Sequence, residues 1–278
     1  MGSTVAVSSQ LISSAANPLL KDVRRAVSAG ALTSDGFLVA ESFHLLDEAL
    51  RSNLEFKAAV CAASVREQVA GRLGGRSDIP IRVVEDQLLQ RIAATEHSQG
   101  VIALVRPPVW QLDDLFRERA LVTVLDGVQE PGNAGAIVRT AEAFGASGVV
   151  FLRGSVSPFN PKTLRASAGS LFRMPYLFGI DPATARDEFE RRKLLLYAAS
   201  PRAKLPIDRA DWKAPCALII GSEARGVSDM FRQSAVGLRI PTRAVESLNA
   251  AAAAAVLLYE AARQRAGPSR PGGRGESP

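Results

Sequence analysis

The sequence predicts an α/β protein of two domains, and three observations carry that prediction. Short apolar runs alternate with segments of helical periodicity along most of the chain. Five of those runs, at 121–125, 148–152, 194–199, 217–220 and 237–240, are nearly continuous in apolar residues, the pattern of a parallel sheet covered on both faces. Between the two halves stands Arg106-Pro107-Pro108, where prolines donate no backbone hydrogen bond and favour extended chain. With 278 residues there is length for two ordinary domains. We therefore expect a smaller N-terminal α/β domain over 1–105, a linker over 106–117 and a second α/β domain over 118–266. The tail 267–278, rich in Gly, Pro and Ser, reads as disordered.

In the first domain Asn17-Pro18 sets a cap and a first helical turn. Leu19, Leu20, Val23 and Val27 then recur at helical spacing to about Ala29. Strands are expected at 37–40, 56–62, 81–84 and 101–105, and helices at 41–50, 64–72 and 86–94. In the second domain a loop over 126–135 is expected to lead into a helix over 136–144. A last helix is expected over 245–265.

Composition narrows the partners. The formal net charge is +6, which draws a protein to polyanions and favours nucleic acid. The sequence lacks the run of about 18 apolar residues that a membrane span needs. Residues 1–10 carry neither a basic start nor a long apolar stretch, so no secretory signal is expected. Cys61 and Cys216 sit in apolar strands and read as small core residues, while His44 and His97 are isolated, so no metal site is expected. A reducing cytoplasm fits this usage.

The chemistry concentrates in three segments, LDGVQEPGNAGAIVR (125–139), IIGSEARG (219–226) and IPTRAVESLN (240–249). Each sets glycine and small polar residues just after a strand-like run, where α/β sheets build ligand sites at the carboxyl ends of strands. In the first, Pro131-Gly132-Asn133 is turn chemistry, Gly135 permits close backbone approach, and exposed N–H groups attract phosphate or carboxylate. In the second, Gly221 lets a flat ligand lie against the backbone, with Ser222 and Glu223 at the mouth. Glu223 also reads as an acid favoured at a helix N-terminus. In the third, Ser247 reads as a helix N-cap. A dinucleotide fingerprint is absent, because Gly127, Gly132 and Gly135 have the wrong spacing. That argues against a nicotinamide or flavin oxidoreductase.

The order and wording of the three segments resemble the SpoU/TrmH family of RNA ribose 2′-O-methyltransferases, within the knotted SPOUT superfamily. The resemblance implies a C-terminal domain with a trefoil knot and an N-terminal domain like a ribosomal protein, used to bind RNA. It implies S-adenosylmethionine as cofactor and a homodimer as the working form. By position, Asn133, Arg139, Ser247 and Asn249 match the family's catalytic centre, and Gly221, Ser222, Glu223, Ile240 and Leu248 its cofactor site. Family descriptions make the arginine the base for the 2′-hydroxyl. Lowering an arginine to neutrality takes about six pKa units, or about 8 kcal/mol. Holding phosphate and stabilising a 2′-oxyanion is the gentler role, and the sequence leaves both open.

A fourth segment, NPKTLRASAGSLFRMPY (160–176), starts with another Asn-Pro pair and places Lys162 and Arg165 on one helix face. It resembles a stretch of the same family in which the arginine helps bind RNA, so Lys162 and Arg165 are expected to contact RNA. Ser167, Gly169 and Ser170 are small enough to line a groove. The expected activity is methyl transfer to RNA, with 23S ribosomal RNA as target and no metal. Transfer RNA methylation, or non-catalytic RNA binding in ribosome assembly, are the alternatives.

Overall fold

The computed structural model describes residues 9–117 and 119–266, so the expected disordered tail lies outside the described residues. The chain forms two compact units that do not follow the order of the sequence. One holds residues up to 110 together with 130–139 and 156–174, and the other holds 111–129, 140–155 and 175 onward.

The first unit contains β1 (Ser9–Ile12), α1 (Pro18–Ala29), β2 (Leu38–Glu41), α2 (Phe43–Arg51), β3 (Phe56–Ala62), α3 (Arg66–Leu73), β4 (Ile81–Val84), α4 (Asp86–Ile92) and β5 (Val101–Val105). The sheet order is β1-β4-β3-β5-β2. The first three run parallel, and β5 runs antiparallel to both its neighbours. The helix α1 begins as its sequence says. Asn17 Oδ1 accepts the N–H of Leu19 at 2.9 Å, Pro18 opens the first turn, and Gly30 closes the helix at φ 60°. Leu20, Val23 and Ala26 form its buried face, packed with Ile12, Val39, Val60, Leu89 and Ile102.

The second unit is built on β6 (Leu121–Asp126), β7 (Gly148–Leu152), β8 (Tyr176–Ile180), β9 (Leu195–Ala199), β10 (Leu205–Pro206), β11 (Cys216–Gly221) and β12 (Val236–Arg239). All its pairings are parallel, in the order β10-β12-β9-β11-β6-β7-β8. The chain starts at β6, steps outward to β7 and β8, then returns to the other side for β9 to β12. The reversal falls between β6 and β11, which is the topological switch point of an open parallel sheet. The strands β6 and β7 are buried at every residue, which explains their unbroken apolar sequences. Val122, Val124, Val150, Ile219, Phe189 and Phe231 form the core of this unit.

The helices of the second half are α5 (Pro131–Ala143), α6 (Pro161–Ala166), α7 (Pro182–Arg191), α8 (Asp229–Ser234) and α9 (Ala250–Arg265). Two of them correct the sequence reading. The expected loop over 126–135 is shorter, because α5 begins at Pro131, and Asn133 and Gly135 therefore sit in its opening turns. The last helix begins at Ala250 and not at 245, with Asn249 as its cap: its Oδ1 accepts the N–H groups of Ala251 at 2.9 Å and Ala252 at 3.3 Å. Ser247 is exposed in the preceding irregular segment and caps nothing.

Among the described residues, no helix is long and apolar enough to cross a membrane, and no group of histidine, cysteine and acidic side chains is placed to hold a metal. Cys61 and Cys216 are buried and unpaired with each other.

Candidate active site

The three segments singled out in the sequence leave one edge of the seven-stranded sheet. The strands β6, β11 and β12 all run parallel within that sheet, so their carboxyl ends point the same way. Asp126 and Gly221, the last residues of β6 and β11, face each other in register at the switch point. Asp126 is buried and accepts the N–H of Ser228 at 2.7 Å, which ties the end of β6 to the chain after the second segment. Gly127 follows at φ 74°, and its N–H donates to Ser155 Oγ at 3.0 Å.

The second segment is a tight loop. Ser222 and Gly226 exchange both backbone hydrogen bonds, at 3.1 and 2.8 Å, and Ser222 Oγ accepts the N–H of Arg225 at 3.2 Å. A Cβ on Gly221 would stand 2.1 Å from the carbonyl carbon of Gly226. Glycine is thus required here because the loop folds back on its own chain, whereas the sequence reading had reserved the space for a ligand. Gly226 adopts φ 67°, as a turn glycine should. Glu223 is exposed in this loop and does not begin a helix.

The third segment, 240–249, is irregular and largely exposed, with Ile240 and Leu248 half-buried and Thr242 Oγ1 donating to the carbonyl of Val245 at 2.9 Å. Chain outside helix and strand presents amide and carbonyl groups to a ligand, and the two aliphatic side chains offer apolar surface to a flat ring. The half-buried Ile240 and Leu248 are compatible with a flat ring such as the adenine of S-adenosylmethionine, and the segment's one cation, Arg243, is exposed rather than buried against a sulfonium.

The first and fourth segments meet where α5 crosses α6. A Cβ on Gly135 would stand 2.3 Å from the carbonyl oxygen of Thr163 and 2.5 Å from the Ala166 methyl, so this glycine serves helix packing. Arg139 is exposed farther along α5. Lys162, also exposed, places Nζ 3.1 Å from Glu130 Oε1. Arg165 turns elsewhere: its guanidinium lies 3.4 Å from the carboxylate of Glu41, which is 2% exposed and also accepts the Ala94 N–H at 2.7 Å and the Thr95 hydroxyl. Lys162 and Arg165 therefore reach two different carboxylates. Ser167, Gly169 and Ser170 are buried and line no groove. Ser167 Oγ donates to the Leu164 carbonyl at 2.7 Å, and Gly169 lies against Glu48.

Glu130 was not singled out in the sequence. Its carboxylate accepts the N–H of Asn133 at 2.6 Å and that of Gly132, so it occupies the start of α5, where the expected phosphate-attracting groups stand. Burial alone raises its pKa, but the two backbone donors and the Lys162 ammonium outweigh that and hold it below the usual glutamate range. The signal was present: an acid just before a Pro-started helix is favoured by the helix dipole, the rule the sequence reading applied to Glu223.

The chain is also similar to known proteins. Residues 120–259 match the model of the SpoU rRNA Methylase family, and residues 42–110 match that of the RNA 2′-O ribose methyltransferase substrate binding domain. An uncharacterized tRNA/rRNA methyltransferase of Synechocystis sp. is 34% identical over 94% of this chain and 96% of its own length. The 23S rRNA (guanosine(2553)-2′-O)-methyltransferase RlmP of Bacillus subtilis is 29% identical over 89% of this chain and 97% of its own. Among solved structures, the SpoU methyltransferase AviRb from Streptomyces viridochromogenes in complex with AdoMet superposes with a TM-score of 0.80 at 26% identity. It covers 90% of this chain and 99% of that one.

Proposed function

Because the chain belongs to the SpoU rRNA methylase family, we propose that it transfers a methyl group from S-adenosylmethionine to a ribose 2′-hydroxyl of RNA, with 23S ribosomal RNA as the substrate. The observation that carries the reading is the departure of all three motif segments from one edge of a parallel sheet, two of them at its switch point. The full-length likeness to RlmP and to the AdoMet-bound AviRb supports substrate class and cofactor. A transfer RNA substrate is the second reading, favoured by the name of the Synechocystis relative, which covers both RNAs.

The cofactor, when bound, supplies a methyl group already activated on sulfonium. The chain's task is alignment of the ribose oxygen and help with its proton. Gly221, Ser222, Glu223, Ile240 and Leu248 are proposed to hold the cofactor. Asn133, Arg139, Ser247 and Asn249 are proposed as the catalytic group. The guanidinium of Arg139, a fixed fork of donors, is proposed to stabilise a developing 2′-oxyanion. The side chain of Asn249, fixed by two N–H donors at the start of α9, sets where Leu248 and Ser247 stand. Lys162 and Arg165 are proposed to serve RNA binding, Lys162 by direct phosphate contact and Arg165 by anchoring α6 through Glu41.

The proposal includes an RNA-binding domain over 1–105, a linker over 106–117, a knotted methyltransferase domain over 118–266, and action in the cytoplasm. It also includes a homodimer. Ala252, Val256, Tyr259 and Arg263 form an exposed stripe at helical spacing on α9, and the half-exposed Tyr259 meets Phe144 edge-on at 5.7 Å. The test is calorimetry followed by transfer. S-adenosylmethionine should bind and NAD should not, and label from the cofactor should enter ribosomal RNA from a strain lacking the gene. Absence of cofactor binding removes the reading, and label in transfer RNA alone moves the substrate to the second one.

A further inference from the structure

We propose that Glu130 is a positioning residue for methyl transfer, one that fixes the backbone of Asn133 and occupies the start of α5 with the protein's own anion. The inference rests on the proposed methyltransferase reading and adds a residue to its machinery.

An α-helix begins with four N–H groups that lack partners within it, and they give that end a partial positive charge. At α5, a helix of 13 residues, Pro131 has no N–H to satisfy and the Glu130 carboxylate serves two of these groups, the N–H of Asn133, at 2.6 Å, and that of Gly132. Its backbone carbonyl accepts the N–H of Ala134 at 3.1 Å, the first bond within the helix. The arrangement depends on the residue between. A Cβ on Gly132 would stand 2.7 Å from Glu130 Oε2, so any larger residue displaces the carboxylate. On its other side the Lys162 ammonium lies 3.1 Å from Oε1. The carboxylate is thus held by two backbone donors from α5 and one cation from α6, and it stays charged at neutral pH.

Holding the N–H of Asn133 fixes its Cα, and with it the direction in which the carboxamide leaves the helix. A catalytic group displaced by about 1 Å can lose about 10²-fold in rate. Filling the helix start also denies it to a phosphate of the RNA or the carboxylate of the cofactor, which would otherwise be drawn there. Glu130 itself donates no hydrogen bond and is not required to touch either substrate.

The test uses full-length protein, S-adenosylmethionine, and ribosomal RNA from a strain lacking the gene. In E130A we expect kcat to fall about 10- to 100-fold, with KM for the cofactor within about twofold, because uniform cofactor binding is untouched. The isosteric E130Q keeps one acceptor oxygen and should be intermediate, about three- to tenfold slower. The amide proton of Asn133, followed by NMR, should move upfield in both variants as its bond to a charged acceptor is lost. Wild-type kcat in either variant overturns the proposal, and so does a rise in KM equal to the loss in kcat, or an unmoved Asn133 resonance. Should E130A fail to fold, E130Q decides alone. An inactive wild-type protein instead counts against the methyltransferase reading, while the Asn133 resonance still reports on the hold that Glu130 exerts.

Discussion

Asp126 and Gly221 stand opposite each other at the ends of two neighbouring parallel strands, and each hands the chain to a segment with a proposed chemical task. Asp126 reaches across to the Ser228 N–H, and Gly221 is closed over by Gly226. The two residues mark the switch point from which the first two motif segments depart.

Replacement of Gly221 by alanine is expected to be severe. The added methyl would lie 2.1 Å from the carbonyl carbon of Gly226, whose backbone is tied to Ser222 by two hydrogen bonds. Urea unfolding should show a loss of about 3 kcal/mol or more, with cofactor affinity falling alongside. A variant as stable as wild type would mean that the loop closes differently.

Arg165→Ala should destabilise the protein by about 1–3 kcal/mol in urea unfolding, since it strips a partner from the buried Glu41 carboxylate. The loss falls below the about 3–5 kcal/mol of a buried pair stripped of all partners, because Glu41 keeps Ala94 and Thr95 as donors. Pairing the change with Glu41→Gln should return part of the loss. Unchanged stability in Arg165→Ala would leave RNA contact as this arginine's main task.

The two cysteines set a pH prediction. Burial pushes both thiols up to about 11, against about 8.5 in the unfolded chain. A raised thiol pKa contributes stability below the unfolded value, and that contribution disappears as pH rises through the folded one. Wild-type stability should therefore fall between about pH 8.5 and 11 more steeply than that of a Cys61→Ala, Cys216→Ala double variant. Thiol reagents at pH 8 should modify neither cysteine until the protein is unfolded. Rapid labelling of native protein would contradict the burial.

Much of this was legible in the sequence, for local reasons. Asn17-Pro18 and Asn160-Pro161 carry cap and first turn in adjacent residues, and both start helices. The buried strands of the parallel sheet announce themselves by unbroken apolar runs. The edge strand β8 did not, because Gly179 interrupts it and Phe178 is 41% exposed. The helix α7 was missed although Asp181-Pro182 repeats the cap signal, since its apolar face reduces to Ala185 and Phe189. Tertiary partners were out of reach altogether. Nothing local says that Gly135 meets α6, that Gly221 meets its own loop, or that Arg165 finds Glu41, 124 residues away. The small size of Gly135 and Gly221 thus also answers to packing contacts that no local pattern reveals. In the candidate site the residue types were readable, whereas the role of Glu130 needed the start of α5 to be placed.

Arg139→Ala should abolish methyl transfer while the far-ultraviolet circular dichroism and urea midpoint stay near wild type, because its exposed side chain has no ion-pair partner among the described residues. Full activity in that variant removes Arg139 from the mechanism.

The most direct measurement is the chemical position of the transferred methyl group. Ribosomal RNA from a strain lacking the gene is incubated with the protein and S-adenosylmethionine, then cleaved with alkali. A 2′-O-methyl ribose blocks cleavage at its own 3′ phosphodiester, since the attacking hydroxyl is gone. The account predicts one discrete gap in the alkaline ladder, produced by wild-type protein and absent with Arg139→Ala. An uninterrupted ladder from RNA that has nonetheless taken up the methyl group would place it on a base, and would contradict ribose methylation.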